Sequence, residues 1–340
     1  MRFWAVLMLS AALLQGCSET QSEALASEAP LNAPTANSAA DGPVTDDVVI
    51  RFSDILDQYR TLNERLENVA SRLQIANAPL CPLTIRDPGY TVHTLSDYPP
   101  QLQQVAQTLL NVDAGLSVRT IRGGGPAALA GVQAGDRLMG INGQRFSGGL
   151  TQKTFYDNAT ETAFGAPTAR LTIARNQGGN IADVMSFKLT PETICGYPAH
   201  VVFDEVVNGH TDGRAVWITS QLMRTVEDDD NLALIVAHEM AHAIARHLEL
   251  TPSDEQRKVL ELKADSMALV MLERAGFDID SAIAYWMSAD NPQRMSQSRS
   301  ATHPNITQRL DNFEAARRAI QLSKRQNEPL YFSILPDPVL

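Results

Sequence analysis

The chain has 340 residues, 44% hydrophobic and 20% charged, the composition of a globular protein of roughly two domains, which excludes a wholly disordered or collagen-like chain. Its formal net charge is −11 and no dense Lys/Arg stripe interrupts that acidity, so the basic footprint of a nucleic-acid-binding protein is missing and no nucleic acid partner is expected. Residues 3–14 form the long apolar run, short of the about 20 residues that cross a bilayer, so no internal transmembrane helix is expected.

Residues 1–16 read as a signal peptide: Met1-Arg2 is cationic, Phe3 to Leu14 is apolar, and Leu14-Gln15-Gly16-Cys17 ends in small residues before a cysteine. That ending resembles the lipobox of bacterial lipoproteins. The resemblance implies a lipid on Cys17, which becomes the first residue of the mature chain. With Ser18 rather than Asp beside it, it also implies an anchor in the outer membrane of the bacterial cell envelope, facing the periplasm. Residues 17–45, rich in Ser, Ala, Glu, Pro and Asn, read as a flexible tether. With Cys17 lipidated, Cys81 and Cys195 remain as an even pair in an oxidising compartment, where two thiols are more often bridged than free. A Cys81–Cys195 disulfide is therefore expected, serving stability rather than chemistry.

Phe52, Ile55, Tyr59, Leu62, Leu66, Val69 and Leu73 recur at 3-4-3-4 spacing, along one seam of an amphipathic helix over 46–77. So short a seam is expected to pack on the chain's own body, with a homo-oligomeric coiled coil through 46–75 as the alternative. Asn77, Pro79 and Pro82 end the helix, and 78–111 reads as a turn-rich connecting segment. Residues 112–190 read as a compact module of short strands and glycine turns. A strand from Val118 to Arg122 is followed by a short Ala-rich helix opened by Gly123-Gly124-Gly125-Pro126, and then by a Leu138–Ile141 strand closed by the hairpin pair Asn142-Gly143. A helix around 151–163 and strands over 168–175 and 181–189 complete it.

The run from Pro126 to Gly143 resembles the PDZ domains of bacterial envelope proteases. The resemblance implies a module that takes an extended peptide, usually a C-terminus, as an added strand, while a glycine-containing loop offers N–H groups to the carboxylate. Gly115-Leu116-Ser117-Val118 falls where that loop is expected, with Ser117 in place of the family's second glycine. A PDZ fold that only packs against its neighbour or shields its cleft is the other reading.

Leu232 to Leu248 is helical by pattern and contains His238-Glu239-Met240-Ala241-His242, a motif that chance produces on the order of once in a hundred such chains. Positions i and i+4 lie one above the other on a helix, so both imidazoles reach one metal ion. Glu239, at the border of that face, can contact a metal-bound water without binding the metal. Ala237, Ala241, Ala243 and Ala245 keep the helix slim for a second one to approach. Thr251-Pro252-Ser253-Asp254 marks the start of that second helix, with Thr251 as N-cap and Pro252 in the first position. From a turn near 251, His242 lies nine residues back and Glu261 ten residues on. Those depths coincide in an antiparallel pair, which makes Glu261 the third ligand of a His₂Glu set with one open position. Asp265, a turn further, is placed to accept the distal N–H of a ligand histidine and fix its tautomer.

This arrangement resembles the gluzincin metalloproteases, and within them the family of CAAX prenyl endopeptidases and bacterial HtpX, BepA and LoiP, over about residues 200 to 324. The resemblance implies one Zn²⁺ per chain. It also picks out Thr302-His303-Pro304 and Arg309: His303 approaching the site from the far side, as a protonated oxyanion stabiliser or an inhibitory extra ligand, and Arg309 orienting the site. It implies further that the strand Ala215 to Thr219 lies along the cleft and pairs with substrate backbone. Asn208-Gly209, an approximate counterpart of the family's Asn-Ala pair, is given no role. His93, His200, His210 and His247 match nothing in the pattern, and His247, about 140° round the helix from His242, reads as off the metal face.

The expected fold class is α+β: a mainly helical zincin-type metalloprotease domain over 191–325, with the β-rich PDZ domain inserted before its catalytic helices, the disulfide clamping the base of the insertion, and a C-terminal tail at 326–340. The expected function is zinc-dependent endopeptidase action on unfolded or misassembled envelope proteins. Glu239 takes the proton of the attacking water, and the PDZ module selects or gates unfolded or C-terminal segments. The rival reading is a chaperone-like assembly or scaffold lipoprotein with a latent metal site.

Overall fold

The structure, a computed structural model, describes residues 46–98, 100–146, 152–176, 183–288 and 302–338; the signal peptide, Cys17 and the tether lie outside them. Helix α1 (Asp46–Asn77) comes first. It is packed within the chain at two places. Leu56 packs with Tyr98, Val105, Ala106 and Val112 around α2 (Pro100–Leu110), whereas Leu66, Val69 and Leu73 enter the main core. None of these four α1 side chains is more than 1% exposed, so this part of the helix packs on the chain's own body. Asn77 fixes the helix end by donating to the carbonyls of Leu73 (2.8 Å) and Met271 (3.0 Å).

After β1 (Thr84–Asp87) comes a β-rich unit built on an antiparallel sheet. Strands β2 (Tyr90–His93), β3 (Ser117–Ile121) and β4 (Arg137–Ile141) are neighbours, with α3 (Pro126–Ala130) between the last two in sequence. β4 turns into the short β5 (Gln144–Arg145) through Asn142 (φ 50°) and Gly143 (φ 83°), the left-handed pair that an Asn-Gly hairpin requires. Then follow α4 (Gln152–Gly165), β6 (Ala169–Arg175) and β7 (Asp183–Leu189), giving the order β2-β3-β4-β6-β7. Val118, Leu138, Leu171 and Ile173 line the inner face of the sheet, and Tyr156, Ala159 and Phe164 of α4 pack into the same cluster. The unit begins at Tyr90, not at 112. Its first strand lies in the segment read as connecting, because four residues between turn formers are too few for alternation to register.

Strand β8 (Glu192–Cys195) leaves the unit and pairs antiparallel with β1, Thr84 opposite Cys195 and Asp87 opposite Glu192. The Cys81–Cys195 disulfide (Cα–Cα 5.5 Å) closes one end of this ribbon, and Arg122 bonds to Asp87 (2.8 Å) and Glu192 (2.7 Å) at the other. The strands entering and leaving the inserted unit are thus laced together at its base.

The rest of the chain is mainly helical around a small sheet of β9 (Ala199–Val202), β10 (Gly209–Thr211) and β11 (Val216–Thr219), in the order β10-β11-β9. α5 (Ser220–Thr225) leads to α6 (Asp229–Ile244), capped by Asp228, whose side chain accepts the N–H groups of Asp230 and Asn231. Almost every residue of α6 from Leu232 to Ile244 is buried, as befits a helix enclosed on all sides. Around it pack α1, α7 (Asp254–Ala275) and α8 (Ile279–Met287), and α9 (Ile306–Arg325) adds Phe313, Ala316 and Ile320 to the same core. α7 starts from Ser253 rather than Thr251. Ser253 and Gln256 cap each other's backbone N–H, and this reciprocal box outweighs the Thr-Pro signal. Beyond α9, Leu330, Phe332, Ile334 and Leu335 fold back onto the core instead of trailing from it. No helix among the described residues is long and apolar enough to cross a membrane. The fold class is α+β.

Candidate metal centre

One turn of α6 separates His238 from His242, and α7 brings Glu261 to the same depth. The Nε2 atoms of the two histidines stand 3.2 Å apart, and each lies 3.4 Å from an oxygen of Glu261. Ligands at about 2.0–2.1 Å from a tetrahedral ion are about 3.3–3.4 Å from one another. Two imidazole nitrogens and a carboxylate at this spacing therefore fit one divalent metal ion.

The surrounding groups hold these donors. Asp265 Oδ1 lies 2.9 Å from His238 Nδ1, which keeps a proton on Nδ1 and leaves Nε2 for the metal. Arg309 reaches in from α9, donating from Nη1 to Asp265 (3.0 Å) and from Nη2 to Glu261 (3.2 Å), with its guanidinium 5.2 Å from the centre of the Trp286 ring. Its side chain is 3% exposed, a burial that a cation tolerates when anions face it. Burial acts to lower His238, but the Asp265 and Glu261 carboxylates carry it up to about 10. Burial and the neighbouring His238 hold His242 down to about 3. Glu261, despite its burial, is kept well below the usual carboxylate range by His238. A metal ion must displace the proton shared in this network to bind.

Glu239 faces a cleft of about 470 Å³ whose walls are residues 207–211 on one side and Leu248, Trp286 and His303 on the other. Burial pushes its carboxyl up to about 7, against the pull of His238 and the backbone N–H of Thr211. A carboxyl that changes charge near neutrality suits a general base. β10 lies close against α6 because position 209 is glycine: a Cβ there would stand 3.1 Å from Ile218 Cδ1 and 3.3 Å from Ile235 Cγ2. The strand expected along the cleft, Ala215 to Thr219, is instead the middle of its sheet. β11 has β10 antiparallel on one side and β9 parallel on the other, so its backbone is already paired. The edge beside the cleft is β10, and Asn208-Gly209, given no role from sequence, opens it. The available signal was a short segment ahead of the Asp212-Gly213 turn, where Gly213 has φ +84°.

His303 sits beyond Glu261, its Nε2 3.8 Å from the Glu261 carboxylate and its Nδ1 3.1 Å from Thr302 Oγ1. Burial lowers its pKa, against the protonated form expected of it. His247 was misread. α6 ends at Ile244 and Arg246, at φ 56°, reverses the chain, so helical phase no longer applies. The ring folds back, with Nδ1 3.0 Å from His242 Nδ1. His93 bonds to Tyr98 (2.7 Å) in the β-rich unit, His200 stacks on Trp217 (4.8 Å), and His210 lines the cleft.

The expected carboxylate loop is also corrected. Gly115 to Val118 lead into β3, an inner strand between β2 and β4. Leu116, Ser117 and Val118 are at most 1% exposed, and the Gly115 N–H is held by Asp113 Oδ1 (2.6 Å). A buried strand with partners on both sides cannot accept another. The two edges of this sheet are β2 and β7, each with one strand partner among the described residues, and β2 is the one beside β3.

Comparison with known proteins agrees with both units. Residues 180–256 match Peptidase family M48, and residues 117–153 match the PDZ domain. The first match contains His238, Glu239 and His242 but stops short of Glu261, which rests on the geometry above. Among solved structures the chain is similar to the HtrA3 PDZ domain bound to a phage-derived ligand (FGRWV), at 19% identity over 34% of this chain and 93% of that one, TM-score 0.25. It is also similar to the PDZ domain of a carboxy-terminal protease from Vibrio cholerae in complex with peptide, at 17% identity over 33% and 98%, TM-score 0.23. No curated protein matches. The chain is thus similar to a PDZ domain over one stretch and to Peptidase family M48 over the next.

Proposed function

We propose that the protein is a zinc-dependent endopeptidase of the bacterial cell envelope, anchored to the outer membrane by lipid on Cys17, that hydrolyses unfolded or misassembled envelope proteins. One observation carries the catalytic reading: two imidazole Nε2 atoms 3.2 Å apart, each 3.4 Å from one oxygen of the Glu261 carboxylate, with Glu239 beside them in the cleft. Two imidazoles and a carboxylate with a fourth position open are the donor set of catalytic zinc. Zinc held by His238, His242 and Glu261 supplies a lowered pKa for water and polarisation of the scissile carbonyl.

The chain's own residues supply the rest. An extended substrate lies along β10, pairing with the backbone of that edge, with apolar side chains against Val207 and Leu248. Glu239, ionised, takes a proton from the attacking water and passes it to the leaving amine. His303 donates an N–H to the oxyanion as it develops; losing such a donor typically costs about 10²–10³ in rate. Asp265 and Arg309 keep His238 and Glu261 aimed. The PDZ unit selects or gates substrate by taking an extended or C-terminal segment on the edge of β2. The lipobox-like ending and the Cys81–Cys195 bridge support an oxidising compartment, where disulfides persist.

Purified protein should contain about one zinc per chain, as one His₂Glu set implies, and cleave casein. Glu239→Gln should keep the zinc and cleave about 10²–10⁴-fold more slowly. Full activity in that variant would end the assignment, and its rescue of the phenotype of a deletion would favour the chaperone-like scaffold.

A further inference from the structure

The two ligand histidines are held by different chemistry. His238 has an anionic neighbour at its distal nitrogen, Asp265 at 2.9 Å. His242 has another imidazole there. Its Nε2 faces His238 and Glu261, so a neutral ring that ligates through Nε2 must carry its proton on Nδ1. The nitrogen that meets this proton is His247 Nδ1, at 3.0 Å. The rings stand edge to face, 4.9 Å between centres and 83° between planes, rather than stacked. We infer that His247 is the positioning residue of His242, accepting the Nδ1–H and thereby fixing the tautomer and the aim of the second metal-binding imidazole.

The backbone is committed to this contact. Arg246, not a glycine, adopts φ 56° and ψ 36°, a left-handed conformation that non-glycine residues rarely occupy and that gathers at functional sites. That reversal brings His247 back to 9% exposure and sets Leu248 at the lip of the cleft. An ordinary buried histidine would contribute to stability whether or not metal is bound. A positioning histidine contributes to metal affinity.

The inference rests on the zinc reading above, and the test separates the two. Zinc affinity is measured by competition with a chromophoric chelator for wild type, His247→Phe, His247→Leu and His247→Asn, alongside thermal midpoints in excess EDTA. Asn offers an amide oxygen near the place of Nδ1, whereas Phe and Leu offer no acceptor. Loss of such a partner lowers metal affinity roughly 10–100-fold. That loss is expected for Phe and Leu, with Asn close to wild type and the midpoints in EDTA alike. Phe and Leu variants that bind zinc like wild type, or an Asn variant that falls as far as they do, would overturn the role of His247 alone. Wild-type protein that binds no zinc would overturn the reading of the centre and this inference with it.

Discussion

The metal centre and the PDZ unit present their working surfaces in opposite ways. In the centre, side chains hold side chains: Asp265 and Arg309 brace His238 and Glu261 at 2.9–3.2 Å, against the buried helix α6. In the PDZ unit the candidate binding element is backbone, the outer edge of β2, and side chains matter mainly by letting that edge exist. A substitution should therefore act on the centre through charge and identity, and on the PDZ unit through strand order.

The harshest way to break the centre is to remove its arginine. Arg309→Leu leaves Glu261 and Asp265 as neighbouring buried anions, and removing one partner of a buried ion network costs about 3–5 kcal/mol. Urea unfolding should show that loss, together with weaker zinc binding. A variant as stable as wild type would mean that the network is not what supports the helices.

The ribbon between the regions comes next. Its disulfide spans 114 residues of sequence, and replacing both Cys81 and Cys195 with Ala should cost about 2–4 kcal/mol. Zinc affinity should not change, because no ligand stands on β1 or β8. A parallel loss of zinc would show that the insertion's base positions the centre, which would erase the contrast drawn here.

A smaller effect is expected from pH. The Glu239 carboxyl, pushed up to about 7, must be ionised to accept a proton, so cleavage should fall as pH drops through that value, approaching tenfold per unit on the acid side. The charge of a bound metal ion favours the ionised form and moves this limb lower. A Glu239-dependent rate that instead rises as pH falls would contradict the base role.

What could be read from sequence divides along the same line. His238, His242, Glu261 and Asp265 follow from helix period and matching depth, both local arithmetic. The contact of His247 with His242 does not, since the left-handed turn at Arg246 breaks the helical period. The sheets misled in one consistent way. Val118 and the 215–219 run are apolar and easily seen as strands, and they are apolar because they lie inside their sheets. Two strands with an open edge, Tyr90–His93 and Gly209–Thr211, are short and partly polar, as edge strands tend to be, and so are faint in the sequence. Strand order depends on distant pairing, which no local pattern carries.

The mildest test bears on that order. If 115–118 were a carboxylate cradle, restoring the family's glycine at 117 should tighten binding of a labelled peptide with an apolar free C-terminus. Ser117 is instead 1% exposed, opposite His93 of β2 and Arg137 of β4. Ser117→Gly should therefore leave the anisotropy titration unchanged and lower stability by about 0.5–1 kcal/mol, the usual cost of glycine inside a strand. Tighter binding would return the recognition loop to 115–118. Unchanged binding, with the stability loss, would place the peptide away from 115–118, on an open edge such as β2.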